Sequence, residues 1–333
     1  MLFVLNQREQ GLFFGPEVRE LLAESSFEVA WANDRDLEES RWEKVLREAR
    51  PDILVTCWST PPLPEAWLGE PDCPLAYICH VTGTVRDIIP RSYLERGGKV
   101  TNWGGLAGRD VAEHALLLGL AALRRMPLWK GLCVKAGGKP GSVLLETRTM
   151  HGRRVGLHGF GSVARSLVQL LKPFNVALAA YSRGVPGAAM RAAGVEPCQT
   201  LEELFSRSEV VFEVEALTPE SMGSVNERTL AALPDGAVFV NVGRGHVTEE
   251  AALMREAASG RIHMALDVLW EEPPPLNPPI GRFSNVLVSP HIAGPTYETL
   301  PECGIMALRN IERYLRGERL EAEVDLNVYD RST

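Results

Sequence analysis

An α/β fold in two domains, each built on a parallel sheet, is what this sequence predicts. Three observations carry that expectation. The chain has 333 residues, and single cores stop growing at roughly 250–300 residues. Short apolar runs alternate with amphipathic helical patterns from end to end, the order that parallel strands and crossover helices require. A glycine-rich turn sits between a strand pattern and a helix pattern midway along the chain.

In the first part, LFVL, EVAW, ILVT, LAYIC and KVTNW read as strands. PEVRELLAES and RWEKVLREA lie between them with apolar residues at helical spacing. After TNWGGLAGRD comes the helical run VAEHALLLGLAALRRM, then KAGGKPGS, a loop by composition. A second series starts at RRVGLHG. Its strands are RVGLHG, VALAAYS, EVVFEVE, AVFVNVG, HMALDV and NVLVSPH, six in all and enough for a doubly wound nucleotide-binding sheet. ECGIMALRNIERYLRG reads as an amphipathic helix stopped by Gly317. The polar tail EAEVDLNVYDRST reads as loose at its end.

Composition narrows the function. The chain is 45% hydrophobic and 23% charged, with a formal net charge of -8. That balance opposes nucleic-acid binding, which needs a clustered basic face. The basic stretches at Arg124–Arg125 and RTMHGRR are short and read as solvated. Six cysteines form no CxxC pair, and no His/Cys cluster has zinc spacing, so no metal site is expected and the thiols read as reduced in a cytoplasmic protein. The start, MLFVLNQREQ, has no cationic lead and does not read as a signal peptide. ALLLGLAAL is half a membrane span, flanked by Glu113, His114, Arg124 and Arg125, and reads as a buried helix.

The glycine turn is VGLHGFGSVARSL, Val155–Leu167. Gly159, Phe160, Gly161, Ser162, Val163 and Ala164 make a G-x-G-x-x-A pattern between strand and helix. The first glycine allows the tight turn, the second lets backbone approach a pyrophosphate, and the small third residue lets helix pack on strand. The helix N-terminus then offers free N–H groups and a partial positive charge to phosphates. The next strand ends in AAYSRG. An NAD-binding sheet usually carries an acid there, about 20 residues after the loop, for the ribose 2′-hydroxyl. This chain has Ser182 and Arg183, a hydroxyl and a guanidinium suited to a 2′-phosphate. The reading is therefore NADP(H) in preference to NAD(H), with NAD(H) still possible.

Three polar residues follow predicted strands in the second half. Arg244 lies in VNVGRGHV, Glu272 in DVLWEEPPP and His291 in VSPHIAG. Ligands of open α/β sheets bind outside the carboxyl ends of the strands, so these residues can converge there. Taken one at a time, each also reads as structural: a salt-bridging arginine, a solvated loop acid, a core histidine.

The stretches VAEHALLLGLAALRRMP, VGLHGFGSVARSLVQLLKPFNV, LTPESMGSVNERTLAALPDGAVFVNVGRGHV, ALDVLWEEP and NVLVSPHIAG together resemble the D-isomer-specific 2-hydroxyacid dehydrogenases. The resemblance covers nearly the whole chain. It implies two Rossmann-like domains: a doubly wound parallel-sheet cofactor domain at 105–295, and a flavodoxin-like substrate domain assembled from 1–104 and 296–333. It implies an NAD(P)-dependent enzyme that moves hydride between the cofactor and C2 of a small 2-oxo or 2-hydroxy acid, with D-specificity. It also implies a homodimer formed through the VAEHALLLGLAALRR helix. Arg244, Glu272 and His291 match the family's catalytic arginine, glutamate and acid/base histidine. Asp267 matches the residue that binds the nicotinamide carboxamide, and Thr218 lies in the loop over the cofactor. The chemistry agrees. Reduction of a 2-oxo acid needs a proton at the carbonyl oxygen, which a histidine can supply while a carboxylate fixes its ring. An arginine can pair with the substrate carboxylate and polarise the carbonyl. A corepressor-like module that senses the dinucleotide and catalyses weakly is the alternative on the same scaffold. Formate dehydrogenases resemble the chain less, because they carry Gln where Glu272 stands.

Several positions depart from the family pattern. In CHVTGTVRD, Val81 replaces the first glycine of the substrate loop, leaving backbone groups of Thr82, Gly83 and Thr84 to hold a substrate carboxylate. His80 beside them could contact substrate, but reads more readily as a packing or surface residue. Trp58 stands where it could narrow the pocket. Val214 and Ala216 replace a usual His-x-Pro, and His246 alters the stretch after Arg244. Ser182 and Arg183 resemble the glyoxylate/hydroxypyruvate reductase branch.

Overall fold

The structure, a computed structural model, describes residues 1–25, 27–129, 145–273 and 275–331. The chain forms two compact units, one of Met1–Ala107 with Pro295–Thr333 and one of Gly108–Gly294. The loop expected at KAGGKPGS lies outside the described residues.

The first unit is built on five parallel strands: β1 (Leu2–Val4), β2 (Ala30–Trp31), β3 (Ile53–Thr56), β4 (Tyr77–His80) and β5 (Lys99–Thr101). Their order, β2-β1-β3-β4-β5, is that of a flavodoxin-like sheet. Successive residues serve opposite faces. Leu2, Val4, Leu54 and Ile78 enter one core; Phe3, Ile53, Val55 and Tyr77 enter the other. Burial on both faces is why these strands read as unbroken apolar runs. Besides the short helices Glu65–Leu68 and Arg91–Glu95, the helix Gln7–Phe13 is missing from the sequence expectation. Its start is a capping box: the Glu9 N–H donates to the Asn6 side chain at 2.9 Å, and the Asn6 N–H donates to the Glu9 carboxylate at 3.0 Å.

The tail is ordered up to its last residues: Leu326–Arg331 is a helix, and 332–333, where the loose end is expected, lie outside the described residues. The Tyr329 hydroxyl is buried and donates to the Ile89 carbonyl at 2.7 Å, and the Val324 N–H donates to Val100 O at 2.8 Å. One buried aromatic and one valine anchor an otherwise polar segment.

The second unit holds seven parallel strands: β6 (Arg154–His158), β7 (Ala177–Tyr181), β8 (Glu196–Pro197), β9 (Val210–Glu213), β10 (Val238–Asn241), β11 (His263–Leu266) and β12 (Val286–Val288). The order is β12-β11-β10-β9-β6-β7-β8. All six expected strands are present. The seventh, β8, is two residues at the sheet edge and includes a proline, which cannot donate to a ladder. Val155, Leu157, Val210, Phe212, Val238 and Val240 face one core, and Val211, Phe239, Met264 and Leu266 face the other. The long apolar run is the helix Leu106–Leu123, which buries Ala112, Ala115, Leu118 and Ala122 in the first of these cores. No described helix is long and apolar enough to cross a membrane. From β6 the chain builds outward through β7 and β8, then returns to build β9 to β12 on the other side. The ends of β6 and β9 therefore flank the switch point where such sheets bind ligands.

Candidate active site

The glycine turn sits at that switch point. β6 ends at His158, and Gly159, Phe160 and Gly161 lead into the helix Ser162–Leu171. Gly159 has φ +101°, and a β-carbon there would stand 2.7 Å from the Val214 carbonyl, so only glycine fits. The turn is stitched from both sides: the Gly159 N–H donates to Tyr181 O at 2.8 Å, and the Val214 N–H donates to His158 O at 2.9 Å. Gly161 differs. A β-carbon on it would meet nothing within 4 Å, which leaves open space before the helix N-terminus. That space, bordered by helical N–H groups, fits a pyrophosphate. Ser162 is exposed, Val163 half-buried, and Ala164 fully buried where helix meets strand. The Phe160 side chain lies in the core, 4.8 Å beneath the Arg165 guanidinium. Only the backbone of Phe160 is left for a ligand.

Beside the turn lies a set of acids that the sequence reading passes over. Glu213, at the end of β9, is buried against the His158 imidazole, and its Oε1 accepts the Glu215 N–H at 2.9 Å. Glu215 in turn accepts the Ser182 hydroxyl at 2.8 Å. Ser182 is half-buried and Arg183 exposed at the end of β7. A hydrogen bond with Tyr181, and then Glu220, favour the charged form of Arg183. The serine of the pair read as a 2′-phosphate site thus meets a carboxylate. Glu215 stands between Val214 and Ala216, the two positions at which the chain departs from the family's His-x-Pro. Its spacing from Ser182 along the chain gives no hint of the contact; the adjacency of β7, β6 and β9 creates it.

Arg244, Glu272 and His291 follow β10, β11 and β12, three neighbouring strands. His291 Nδ1 lies 3.0 Å from Glu272 Oε2, while Glu272 Oε1 accepts the Leu269 N–H at 3.0 Å. The carboxylate is fixed by its own turn and holds the ring. His291 has φ +53°, a left-handed conformation disfavoured for a residue with a β-carbon, and its side chain is 44% exposed. It is therefore not a core histidine. Arg244 is half-buried and donates to Gly243 O at 2.8 Å. Gly245 binds the Arg244 loop to the Glu272 turn: a β-carbon on it would come 1.8 Å from the Leu269 carbonyl oxygen. The Trp270 indole N–H also crosses to Thr248 O, at 2.9 Å.

Asp267 is the anchor of the histidine loop. Its carboxylate accepts the Ser289 hydroxyl at 2.5 Å, the Ile292 N–H at 3.0 Å and the Ala293 N–H at 2.9 Å, and His114 Nε2 lies 3.4 Å away. Burial alone would raise its pKa, but the hydrogen bonds from His114, Ser289, Ile292 and Ala293 outweigh burial and hold it at about 2. His114 and Ser289 are further site residues that sequence reasoning misses. Thr218 makes a tight turn with Ser221, whose hydroxyl accepts the Thr218 N–H at 2.8 Å.

Thr82, Gly83 and Thr84 belong to the first unit, after β4. Trp103 N–H donates to Thr82 O at 3.1 Å and Asn102 Nδ2 donates to Gly83 O at 2.7 Å. A β-carbon on Gly83 would fall 2.6 Å from the Trp103 indole nitrogen. His80 is buried, as a packing residue should be, with Thr56 Oγ1 at 2.9 Å from Nδ1 and Thr82 Oγ1 at 2.5 Å from Nε2. Trp58 is exposed and packs edge-on against Phe13 and Trp103. Among the described residues, no group of three or more His, Cys, Asp or Glu could hold a metal ion.

Comparison with known proteins places the chain in a family. The sequence pattern described as the D-isomer specific 2-hydroxyacid dehydrogenase NAD binding domain matches residues 116–293. The chain is 29% identical over 305 residues to the glyoxylate reductase of Pyrococcus furiosus, covering 89% of each. It is 32% identical over 245 residues to the glyoxylate reductase/hydroxypyruvate reductase of Homo sapiens, covering 70% of this chain and 71% of that one. A solved glyoxylate reductase from Paecilomyes thermophila has the same fold, with a TM-score of 0.79 at 22% identity over 97% of each chain. The chain belongs to the D-isomer specific 2-hydroxyacid dehydrogenases and is an NAD(P)-dependent enzyme of that family.

Proposed function

We propose that this enzyme reduces the C2 carbonyl of a small 2-oxo acid to the D-2-hydroxy acid, with glyoxylate and hydroxypyruvate as first candidates. The observation that carries the reading is the His291–Glu272 pair at the carboxyl ends of the strands, with Nδ1 at 3.0 Å from Oε2. Glu272 takes one ring nitrogen and thereby fixes the ring plane, leaving Nε2 to give a proton to the carbonyl oxygen. Arg244 pairs with the substrate carboxylate and draws electron density toward the carbonyl oxygen. Gly159, Gly161, Ser162 and the helix N-terminus would hold the dinucleotide's pyrophosphate, and Asp267 and Thr218 would hold its nicotinamide portion. The dinucleotide, when bound, supplies hydride to C2. Ser182 and Arg183 taken alone favour NADP(H); Glu215, which Ser182 meets in the folded chain, opposes a 2′-phosphate. Support for the substrate class comes from the names of the relatives, glyoxylate reductase and glyoxylate reductase/hydroxypyruvate reductase. Leu117, Met126 and Trp129, exposed in and after the long helix, are apolar residues we assign to contact with a second copy of the chain. Cys57, Cys79, Cys198 and Cys303 are buried cysteines, suited to the reducing cytoplasm.

The test is loss of reduced-nicotinamide absorbance with NADH and NADPH against 2-oxo acids from glyoxylate to phenylpyruvate. Turnover is expected with a small acid. His291→Gln should lower kcat by roughly 10²–10⁴-fold with little change in dinucleotide affinity. Dinucleotide binding without turnover of any acid would overturn the reductase reading in favour of a dinucleotide-sensing module.

A further inference from the structure

We infer that Glu215 reads the adenosine ribose of the dinucleotide and makes the enzyme prefer NAD(H), the reverse of what Ser182 and Arg183 suggest alone. The inference rests on the dinucleotide reading above. The acid that such sheets usually carry at the end of the second strand is absent, and Ser182 stands there. Its place is taken from the other side of the glycine turn. Val214 and Glu215 pass directly over Gly159, whose missing side chain leaves them room: a β-carbon there would lie 2.7 Å from the Glu215 nitrogen.

Once across, the Glu215 carboxylate is fixed at both oxygens. Oε2 accepts the Ser182 hydroxyl at 2.8 Å, and Oε1 accepts the Ala216 N–H at 3.1 Å. Glu213 holds the Glu215 N–H at 2.9 Å from below. A carboxylate has about four lone-pair sites, so two of them stay available to a ribose diol. A diol has hydrogens to donate. A 2′-phosphate has none to offer when fully ionised, and its charge of roughly -1.5 to -2 is repelled by the carboxylate. Ser182 has a single hydrogen, already given to Glu215, so it turns only lone pairs toward a phosphate. Arg183 is the opposing cation, and it is exposed and shares its field with Glu220.

The experiment measures binding of adenosine fragments by calorimetry, which needs no turnover. AMP and adenosine 2′,5′-bisphosphate are titrated into the full-length wild type, Glu215→Gln and Ser182→Ala. The wild type should bind AMP at least about tenfold more tightly than the bisphosphate, and Glu215→Gln should shrink that ratio by about tenfold or more. Ser182→Ala keeps the carboxylate and should keep the preference for AMP. KM values for NADH and NADPH should follow the same order. Tighter wild-type binding of the bisphosphate, or a ratio unchanged in Glu215→Gln, overturns the inference while leaving the reductase reading intact. Failure of the wild type to bind either fragment or either dinucleotide overturns both. The wild-type ratio needs no variant, so a misfolded Glu215→Gln protein does not spare the inference.

Discussion

His158 and Glu213 face each other across β6 and β9 as register partners, and their side chains form a buried imidazole–carboxylate pair beneath the glycine turn. Burial works against a charged imidazole, but the adjacent Glu213 carboxylate outweighs it and raises the His158 pKa. The same carboxylate holds the backbone of Glu215. A polar pair at positions that otherwise belong to an apolar core therefore links the sheet to the cofactor edge.

Removing one partner should be far worse than removing both. Glu213→Leu leaves a buried imidazole with no acceptor and should destabilise the second unit by about 3–5 kcal/mol. Adding His158→Leu to it should restore most of that loss, because the remaining site is apolar and already enclosed by strands. Hydrogen exchange of the β6 and β9 amides reads the effect in this unit. A double variant no more protected than Glu213→Leu would show that the pair is not the source of the instability.

His80 gives the first unit a dependence on acid. Burial between Thr56 and Thr82 lowers its pKa from 6.5 to about 3. The folded chain therefore keeps the ring neutral while the unfolded chain protonates it below pH 6.5. The stabilisation is complete above 6.5 and is lost as pH falls toward 3, at about 1.4 kcal/mol per pH unit. Tryptophan fluorescence follows this unit well, since Trp31, Trp42, Trp58, Trp67 and Trp103 all lie in it. Urea midpoints taken at pH 7 and pH 4.5 should fall steeply for the wild type and less steeply for His80→Gln. Parallel slopes would remove His80 as the cause.

The sequence was most legible where periodicity repeats and least legible where function depends on neighbours in space. The long parallel strands are visible because burial on both faces makes them continuous apolar runs. The strand β8 is invisible because two residues, one a proline, carry no period. Helix Gln7–Phe13 has a readable signal in Asn6 and Glu9, but the helix is too short to show an apolar stripe. Among site residues, His291 and Glu272 are legible as motif residues, whereas their hydrogen bond is not. Glu215 and Ser289 are illegible because strand order gives them their partners, and His114 because the packing of its helix does. Ser182 shows the hazard of the local view, since its chain neighbours suggest a phosphate and its spatial neighbour is an acid.

Asp267 carries the last prediction, because two roles for it can be told apart. In the folded chain it receives the Ser289 hydroxyl and the N–H groups of Ile292 and Ala293, and its carbonyl receives the His291 N–H at 2.9 Å. These bonds hold His291 at φ +53°, a backbone conformation with an intrinsic cost of about 1–3 kcal/mol. Because its pKa is held at about 2, below the ordinary 3.8, the carboxylate's stabilisation is complete above about pH 4 and lost only as pH falls through 2. Asp267→Asn tests the loop at neutral pH. An amide in that place sets an NH₂ donor against donors, leaving at least one buried N–H or hydroxyl without an acceptor. The Ile292 and Ala293 amides should then exchange about tenfold faster or more, and kcat should fall by a similar factor as His291 loses its fixed position. If kcat falls while both amides keep their protection, Asp267 acts on the bound nicotinamide and not through the loop. If exchange accelerates and kcat does not change, the role proposed for His291 does not need this backbone geometry.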